Sequence, residues 1–469
     1  MVYFDNSRIL RIFLRNSTSR GSFHYREALS QSLIATIFAL LVCSCSGRLS
    51  TNPQSPLVVA VTLTPTTASL AIGATQQFTD TVTGSSNTGV TWSVNCLNGG
   101  NSTCGTISNS GLYRAPNTLS SPGPVTVTAI SQADRTKQAS ATVTLRLQVL
   151  SVAASPAQNV SALAALDLVR GAGARGQGIE LHWPDVEPSP LVYDFTTVIN
   201  QINAIRSQGP FRIHVTLGII NTAMRQVPAD LASAPFDSPQ MTTRFKSMLT
   251  AFLNQVSTEI DSISIGNEVD VYLNAHPTEW VPYANFYGQA VTLVRTYSSI
   301  RVGVTSTYGG AIDAQTGPFI ANLNTLSDLV MMNYYPLNIN FTPHDPSVVA
   351  GDFVKILAAS PGKPIFLQEV GYPASTGLGS SEQLQAQFVT NVFSEWMKAG
   401  DKIQFLNFFL LHDDTPQGCQ LIANQIGVPD PNFVLFFCSL GLRNSDGTDK
   451  LGWTTLKMEA QAAGFTAQP

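Results

Sequence analysis

The stretch "SISIGNEVDVY", residues 262–272, decides how this chain is read. An alternating apolar run stops at Gly266 and hands over to an amide and a carboxylate, Asn267 and Glu268. Only 12% of the residues are charged, so a carboxylate at the mouth of a buried strand is informative.

The pattern repeats on either side. Apolar runs of strand length appear at 147–153, 178–183, 211–219 and 262–268, and again at 300–307, 329–336, 364–371 and 403–411. Helical patterns lie between them, among them 242–257, 283–297 and 381–400. Strands alternating with helices are the grammar of βα units around a parallel sheet. Eight such units in the segment 147–469 predict a (β/α)8 TIM barrel, with a doubly wound open sheet as the competing architecture. That competitor loses support because no G-x-G-x-x-G follows an early strand and no Walker-type loop occurs.

In a barrel, reacting groups gather where the strands end and their following loops begin. Glu268 closes the fourth expected strand, and Glu369, in "IFLQEVGYP", closes the seventh. Two carboxyl groups across one cleft suit glycosidic-bond cleavage, in which one donates a proton to the departing oxygen and the other attacks or activates water. A separation of about 5 to 5.5 Å corresponds to a retaining mechanism. Each motif taken singly is equally an ordinary strand-to-helix turn with a solvated or dipole-facing carboxylate. Their coincidence on the fourth and seventh strands favours the catalytic reading.

These motifs resemble the paired glutamates of the clan A glycoside hydrolases. The resemblance implies Glu268 as acid/base, Asn267 as the anchor for the sugar 2-hydroxyl and Glu369 as nucleophile. Within the clan, "IGNEV", "NYYP" and "EVGYPAS" are similar to the family 17 β-1,3-glucanases, whereas "HWPDVEPSPLVYDF" (182–195) resembles the strand-two region of β-galactosidase-like members. On the sixth expected strand, Met331, Asn333 and Tyr335 share one face by alternation. A clan tyrosine here often bonds the nucleophile, so Tyr335 is the preferred candidate and Tyr334 the second. The chain departs from the clan where an arginine is common on strand two and a tryptophan on strand eight; His182, Trp183, Phe409 and His412 are the candidates to pack against sugar in their place, with core packing the default for Trp183 and a structural role the default for the two histidines. Asp185, Glu187, Asp270 and Asp413 read as rim or capping charges.

The region 55–146 follows a different rule: short alternating runs rich in Thr, Val, Ser and Gly, separated by turns. This predicts a small β-sandwich of roughly seven strands, with Trp92 as a core residue on a central strand. "VTLTPTTASLAIGATQQFT", "GVTWSV" and "GTISNSGLY" resemble bacterial immunoglobulin-like repeats, which implies a spacer or adhesive module.

Residues 1–45 read as an export signal: five arginines, then the apolar "LIATIFALLV" (33–42). Val42-Cys43-Ser44-Cys45 resembles a bacterial lipobox, and an ordinary secretion signal fits nearly as well. The expected location is secreted or cell-envelope, with membrane contact only through such a lipid anchor. Without this segment 21 basic residues face 28 acidic ones, which argues against nucleic acid or an anionic membrane as partner and leaves neutral ligands open, among them the carbohydrate that the resemblance implies. The other four cysteines fall as local pairs, Cys96 with Cys104 and Cys419 with Cys438, the economical pairing in an oxidising compartment. No metal or organic cofactor is required by this chemistry, and a monomer is expected. The competing function is a noncatalytic carbohydrate-binding or adhesive protein that keeps the barrel as scaffold.

Overall fold

The computed structural model describes residues 58–96, 104–116, 124–425 and 430–465. The expected export signal lies outside them. No helix among the described residues is long and apolar enough to cross a membrane.

The first region is all β. Its strands are β1 (Ala60–Thr64), β2 (Thr67–Ala71), β3 (Thr75–Gln77), β4 (Thr79–Thr83) and β5 (Val90–Cys96), then β6 (Thr106–Ile107), β7 (Leu112–Arg114), β8 (Val125–Ser131) and β9 (Gln138–Arg146). Nine segments replace the expected seven because the ladders are short. They form a pair β1-β4, a sheet β2-β9-β8-β5 and a sheet β3-β7-β6. Along β8 every second residue is buried, the mark of a sheet with one face on the core. Trp92 corrects the sequence reading: β5 is an edge strand, and its indole is half-buried against the core. Cys96 and Cys104 are disulfide-bonded.

Only Leu147 and Gln148 separate β9 from the next strand, and both are tied to the following region. The Leu147 amide donates to Asp401 Oδ1 at 2.9 Å, and Gln148 Nε2 to the Trp396 carbonyl at 2.9 Å. One buried apolar cluster runs through both regions, including Leu70 and Leu145 on one side and Trp396 and Phe465 on the other.

The second region is a nearly closed parallel barrel: β10 (Val149–Val152), β11 (Gly176–Leu181), β12 (Arg212–Asn221), β13 (Met224–Arg225), β14 (Ser262–Asn267), β15 (Arg301–Gly303), β16 (Thr305–Thr307), β17 (Val330–Tyr334), β18 (Ile365–Val370) and β19 (Ile403–Phe408). The parallel path runs β15-β14-β12-β11-β10-β19-β18-β17-β16, with β13 folded back on β12. Nine parallel segments appear where eight strands are expected, and the two that end the path flank a single residue, Val304. β12 beyond its first residue, β14 and β17 are buried throughout, as strands must be when a second layer covers them.

That layer comprises α1 (Ala162–Gly171), α2 (Thr196–Ser207), α3 (Pro239–Val256), α4 (Val269–Ala275), α5 (Trp280–Val294), α6 (Gly317–Leu326), α7 (Val349–Ala358) and α8 (Glu382–Ala399), followed by α9 (Pro416–Gln425), α10 (Pro431–Phe437) and α11 (Leu451–Ala462). Several starts are written in sequence. Ser161, Ser238 and Ser381 each accept a hydrogen bond from an amide three residues on, and Pro239 follows its cap directly.

Candidate active site

Glu268 and Glu369 meet at the C-terminal ends of β14 and β18. Between them lies β17, whose Asn333 is the register partner of Glu369. The Asn333 amide donates to Glu268 Oε1 at 3.2 Å and, beside Glu369, favours the ionised form of that carboxyl. Tyr335 O–H donates to Glu369 Oε2 at 2.7 Å. Burial first, and the Glu268 charge second, push the Glu369 carboxyl above the ordinary carboxylate range. Burial and the neighbouring Glu369 charge hold the Tyr335 phenol well above its usual value, so it stays a neutral donor.

The chain turns sharply to place Glu268. Its φ is 46° and its ψ 43°, a left-handed conformation uncommon for a side-chain-bearing residue. Thr222, at the end of β12, is also left-handed at φ 53°, and its hydroxyl donates to Glu268 Oε2 at 2.9 Å. Two strained turns therefore aim at one carboxylate, and such strain concentrates at functional sites. Asp270 pins the start of α4 by accepting from the Thr307 amide and hydroxyl, and burial raises its carboxyl to about 6.

Asn267 is held from three sides. Its Oδ1 accepts from Asn333 at 3.1 Å and from Gln368 at 3.2 Å, while its Nδ2 donates to Asn221 Oδ1 at 3.2 Å. Gln368 Oε1 in turn accepts from Thr305 and lies 3.0 Å from His214 Nε2. Burial lowers His214 to about 4, so it serves as a neutral member of this chain.

Five of the sequence-predicted residues are brought together: Glu268, Glu369, Asn267, Asn333 and Tyr335. Tyr334 is a correction. Alternation turns it away from Asn333 and Tyr335 toward the helical layer, where its hydroxyl donates to Asp352 and its ring packs on Phe353 and Phe388. Trp183 is likewise fully buried. Its indole donates to Glu187 and its ring meets Phe245 edge-on, which makes it core rather than a sugar platform. His182 sits a layer behind the cleft, with Nε2 3.5 Å from Glu180 Oε1. His412 lies beneath the loop after β10, with Nδ1 2.6 Å from the Ser155 carbonyl. Glu187, Asp270 and Asp413 are not rim charges: Glu187 is buried against Arg244 at 2.7 Å, and Asp413 against Lys450 at 2.5 Å.

The segment after β19 forms a wall behind Tyr335, and of its residues Phe409 and Leu410 line the cavity beside Glu369. Cys419 and Cys438 are bonded, tying α9 to the end of α10. Phe436 of α10 packs edge-on against Tyr335, and this cluster also takes in Phe409.

A cavity of about 400 Å³ opens at Glu369 and Asn267. Its inner part is polar, lined by Gln368, Asn407, Thr216 and Glu180, and it continues toward α1 and α2. Among the described residues no cluster of His, Cys, Asp and Glu could hold a metal ion.

Residues 57–143 match the family "Bacterial Ig-like domain (group 2)". No curated protein matches the chain. Among solved structures, the chain is similar in fold to exo-beta-1,4-mannosidase Op5Man5 from Opitutaceae bacterium strain TAV5, with a TM-score of 0.53 and 18% identity over 67% of this chain and 59% of that one. A GH5_18 protein from Streptomyces cattleya in complex with GlcNAc gives 0.54 and 15% over 69% and 82%. The GH5_18 protein from Bifidobacterium longum subsp. longum ATCC 55813 gives 0.53 and 15% over 69% and 81%. The chain thus spans 59% of the mannosidase's length. What it shares with these proteins is the barrel fold.

Proposed function

We propose that this chain is an exported retaining β-glycosidase, with an immunoglobulin-like module over 55–146 and the catalytic barrel over 147–469. The observation that carries the reading is β17 standing between the two glutamates: its Asn333 donates to Glu268 and is the register partner of Glu369, and Tyr335, two residues on, donates to Glu369. Close carboxyl groups do not both ionise at neutral pH, so the pair retains one proton.

In the empty site burial favours that proton on Glu369; the double displacement requires it on Glu268 once substrate is bound, with the Tyr335 donor stabilising the Glu369 anion. Glu369 attacks the anomeric carbon, the glycosidic C–O bond breaks, and Glu268 protonates the departing oxygen. Water then enters; Glu268 takes its proton while the hydroxide portion displaces Glu369 from the sugar. Asn267, with Oδ1 already occupied by two donors, directs its remaining N–H toward the 2-hydroxyl. Phe409 and the disulfide-braced wall shape the cleft, and no cofactor enters either step.

The motif likeness to family 17 points to β-1,3-glucan as one substrate to assay. The fold likeness adds β-mannosides, since a B. longum GH5_18 variant was solved with Manb1-4GlcNAc. The deciding experiment is labelling with 2-deoxy-2-fluoro-β-glycosides bearing a good leaving group. A covalent adduct on Glu369 is the expected result; no adduct across gluco, manno, galacto and xylo reagents favours the noncatalytic carbohydrate-binding reading.

A further inference from the structure

The cavity that begins at Glu369 changes character along its length. Beyond the amides and carboxylates named above it is walled by Ala162, Leu163 and Leu166 of α1, Ile179 of β11, and Ala204 and Ile205 of α2, with the amides of Asn200 and Gln201 the polar groups at this end. Leu166, Ile179 and Ile205 are buried, while Leu163 is 45% exposed at the outer rim beside the exposed Asn200. The opening has a local cause. β10 and β11 share only one register pair, Ser151 with Gly176, and beyond it the Gln177 side chain replaces the ladder by bonding the Val152 carbonyl. Small residues, Ala153 and Ala154, follow β10, so nothing fills the gap between the helices.

This wall is poorly suited to a second or third sugar. Sugar rings pack their C–H faces on aromatic side chains and need hydrogen-bonding partners for their hydroxyls. Phe409 is the one aromatic residue in the lining, and it sits near the catalytic end. None of the five tryptophans reaches the cavity: Trp183, Trp280, Trp396 and Trp453 are buried, and Trp92 belongs to the first region. An aliphatic wall continuous with a polar one matches a ligand that is itself two-ended.

We propose that this site takes a sugar bearing an apolar alkyl chain, the sugar at the Glu369 end and the chain between α1 and α2. The inference rests on the glycosidase reading for what happens at the sugar, but the cavity argument concerns binding and is tested as binding. Two sources share this chemistry: an alkyl group on the anomeric oxygen, and an acyl group esterified to a ring hydroxyl.

The test is calorimetric titration of the full chain with methyl, butyl and hexyl β-glucopyranosides and β-mannopyranosides, kept below their micelle concentrations, beside methyl glycosides carrying 6-O-butanoyl and 6-O-hexanoyl groups. Affinity is expected to rise about fourfold per buried methylene in at least one series. The series that responds identifies the source. Ala204→Glu is expected to flatten the response, and Leu163→Asn, at an exposed position that leaves folding intact, to weaken it. Equal affinities along every series overturn the proposal, as does a chain-length response indifferent to both substitutions, or tighter binding of laminaritetraose or mannotetraose than of any hexyl compound. A responsive series without fluoro-sugar labelling at Glu369 leaves the amphipathic site standing and removes the glycosidase; labelling with flat series does the reverse.

Discussion

The two regions of this molecule handle polar side chains in opposite ways. Among the described residues up to Arg146, the hydroxyls of Ser131 and Tyr113 are the polar groups on fully buried side chains. In the barrel, Asn267, Glu268, Asp270, Asn333, Gln368 and His214 are each no more than 5% exposed. Burying such groups is costly unless every one is partnered. A region whose interior is almost wholly apolar is organised for cohesion. One that retains a connected set of amides, carboxylates and an imidazole is organised around a site.

The contrast can be broken by substitution. The largest expected effect is Glu369→Gln, which should lower kcat/KM by about a thousandfold or more in steady-state assay. The same change should raise Tm, because burial and the Glu268 charge both disfavour the ionised carboxyl that the amide replaces. Loss of activity together with loss of stability would place Glu369 with the cohesive residues instead. Next comes Cys419→Ser with Cys438→Ser. The chain-entropy model assigns a closed loop of this size roughly 3 kcal/mol, read by denaturant unfolding. KM should rise as well, since the braced wall carries Phe436 against Tyr335.

Tyr335→Phe sharpens the comparison through pH. The raised Glu369 carboxyl means that the nucleophile is lost by protonation as pH falls, so the acid limb of kcat/KM should lie above the ordinary glutamate value of about 4.3. Removing a donor to the anion raises that carboxyl further, and the acid limb should move to higher pH. A limb that stays put would detach Tyr335 from the nucleophile. The smallest effect is expected in the first region. Tyr113 is fully buried there, and its hydroxyl donates to the Cys104 carbonyl at 2.7 Å. Tyr113→Phe should cost about 1 to 3 kcal/mol of stability with kcat/KM unchanged.

What could be read ahead of the structure was local. Glu268 and Glu369 each end an apolar run, so their positions follow from a few neighbouring residues. Strand alternation likewise joins Asn333 to Tyr335, and the same rule argues against Tyr334. Thr222, Asn221 and Gln368 were not legible because their roles depend on register between distant strands. Asn221 faces Asn267 only after the β12–β14 ladder shifts between Leu217 and Asn221. The one sequence signal near them is a pair of polar residues, Asn221 and Thr222, closing an apolar strand, the feature that made Asn267 and Glu268 conspicuous. For Trp183 the default of core packing holds and its candidacy as a sugar face fails, because sequence reports an aromatic ring but not whether a helix covers it. The aliphatic gap between α1 and α2 had no signature, since small residues record no intention by themselves.

The tie at Leu147 and Gln148 has an orientational consequence. Ala71 and Gly73 sit near Gln148, Arg175 and Arg212, beside the starting ends of the barrel strands, opposite to the ends that carry the glutamates. With no slack between them, the first region acts as a bracket and not as a tether. A partner that gripped the first region would therefore approach the starting ends of the strands, on the side away from the cleft.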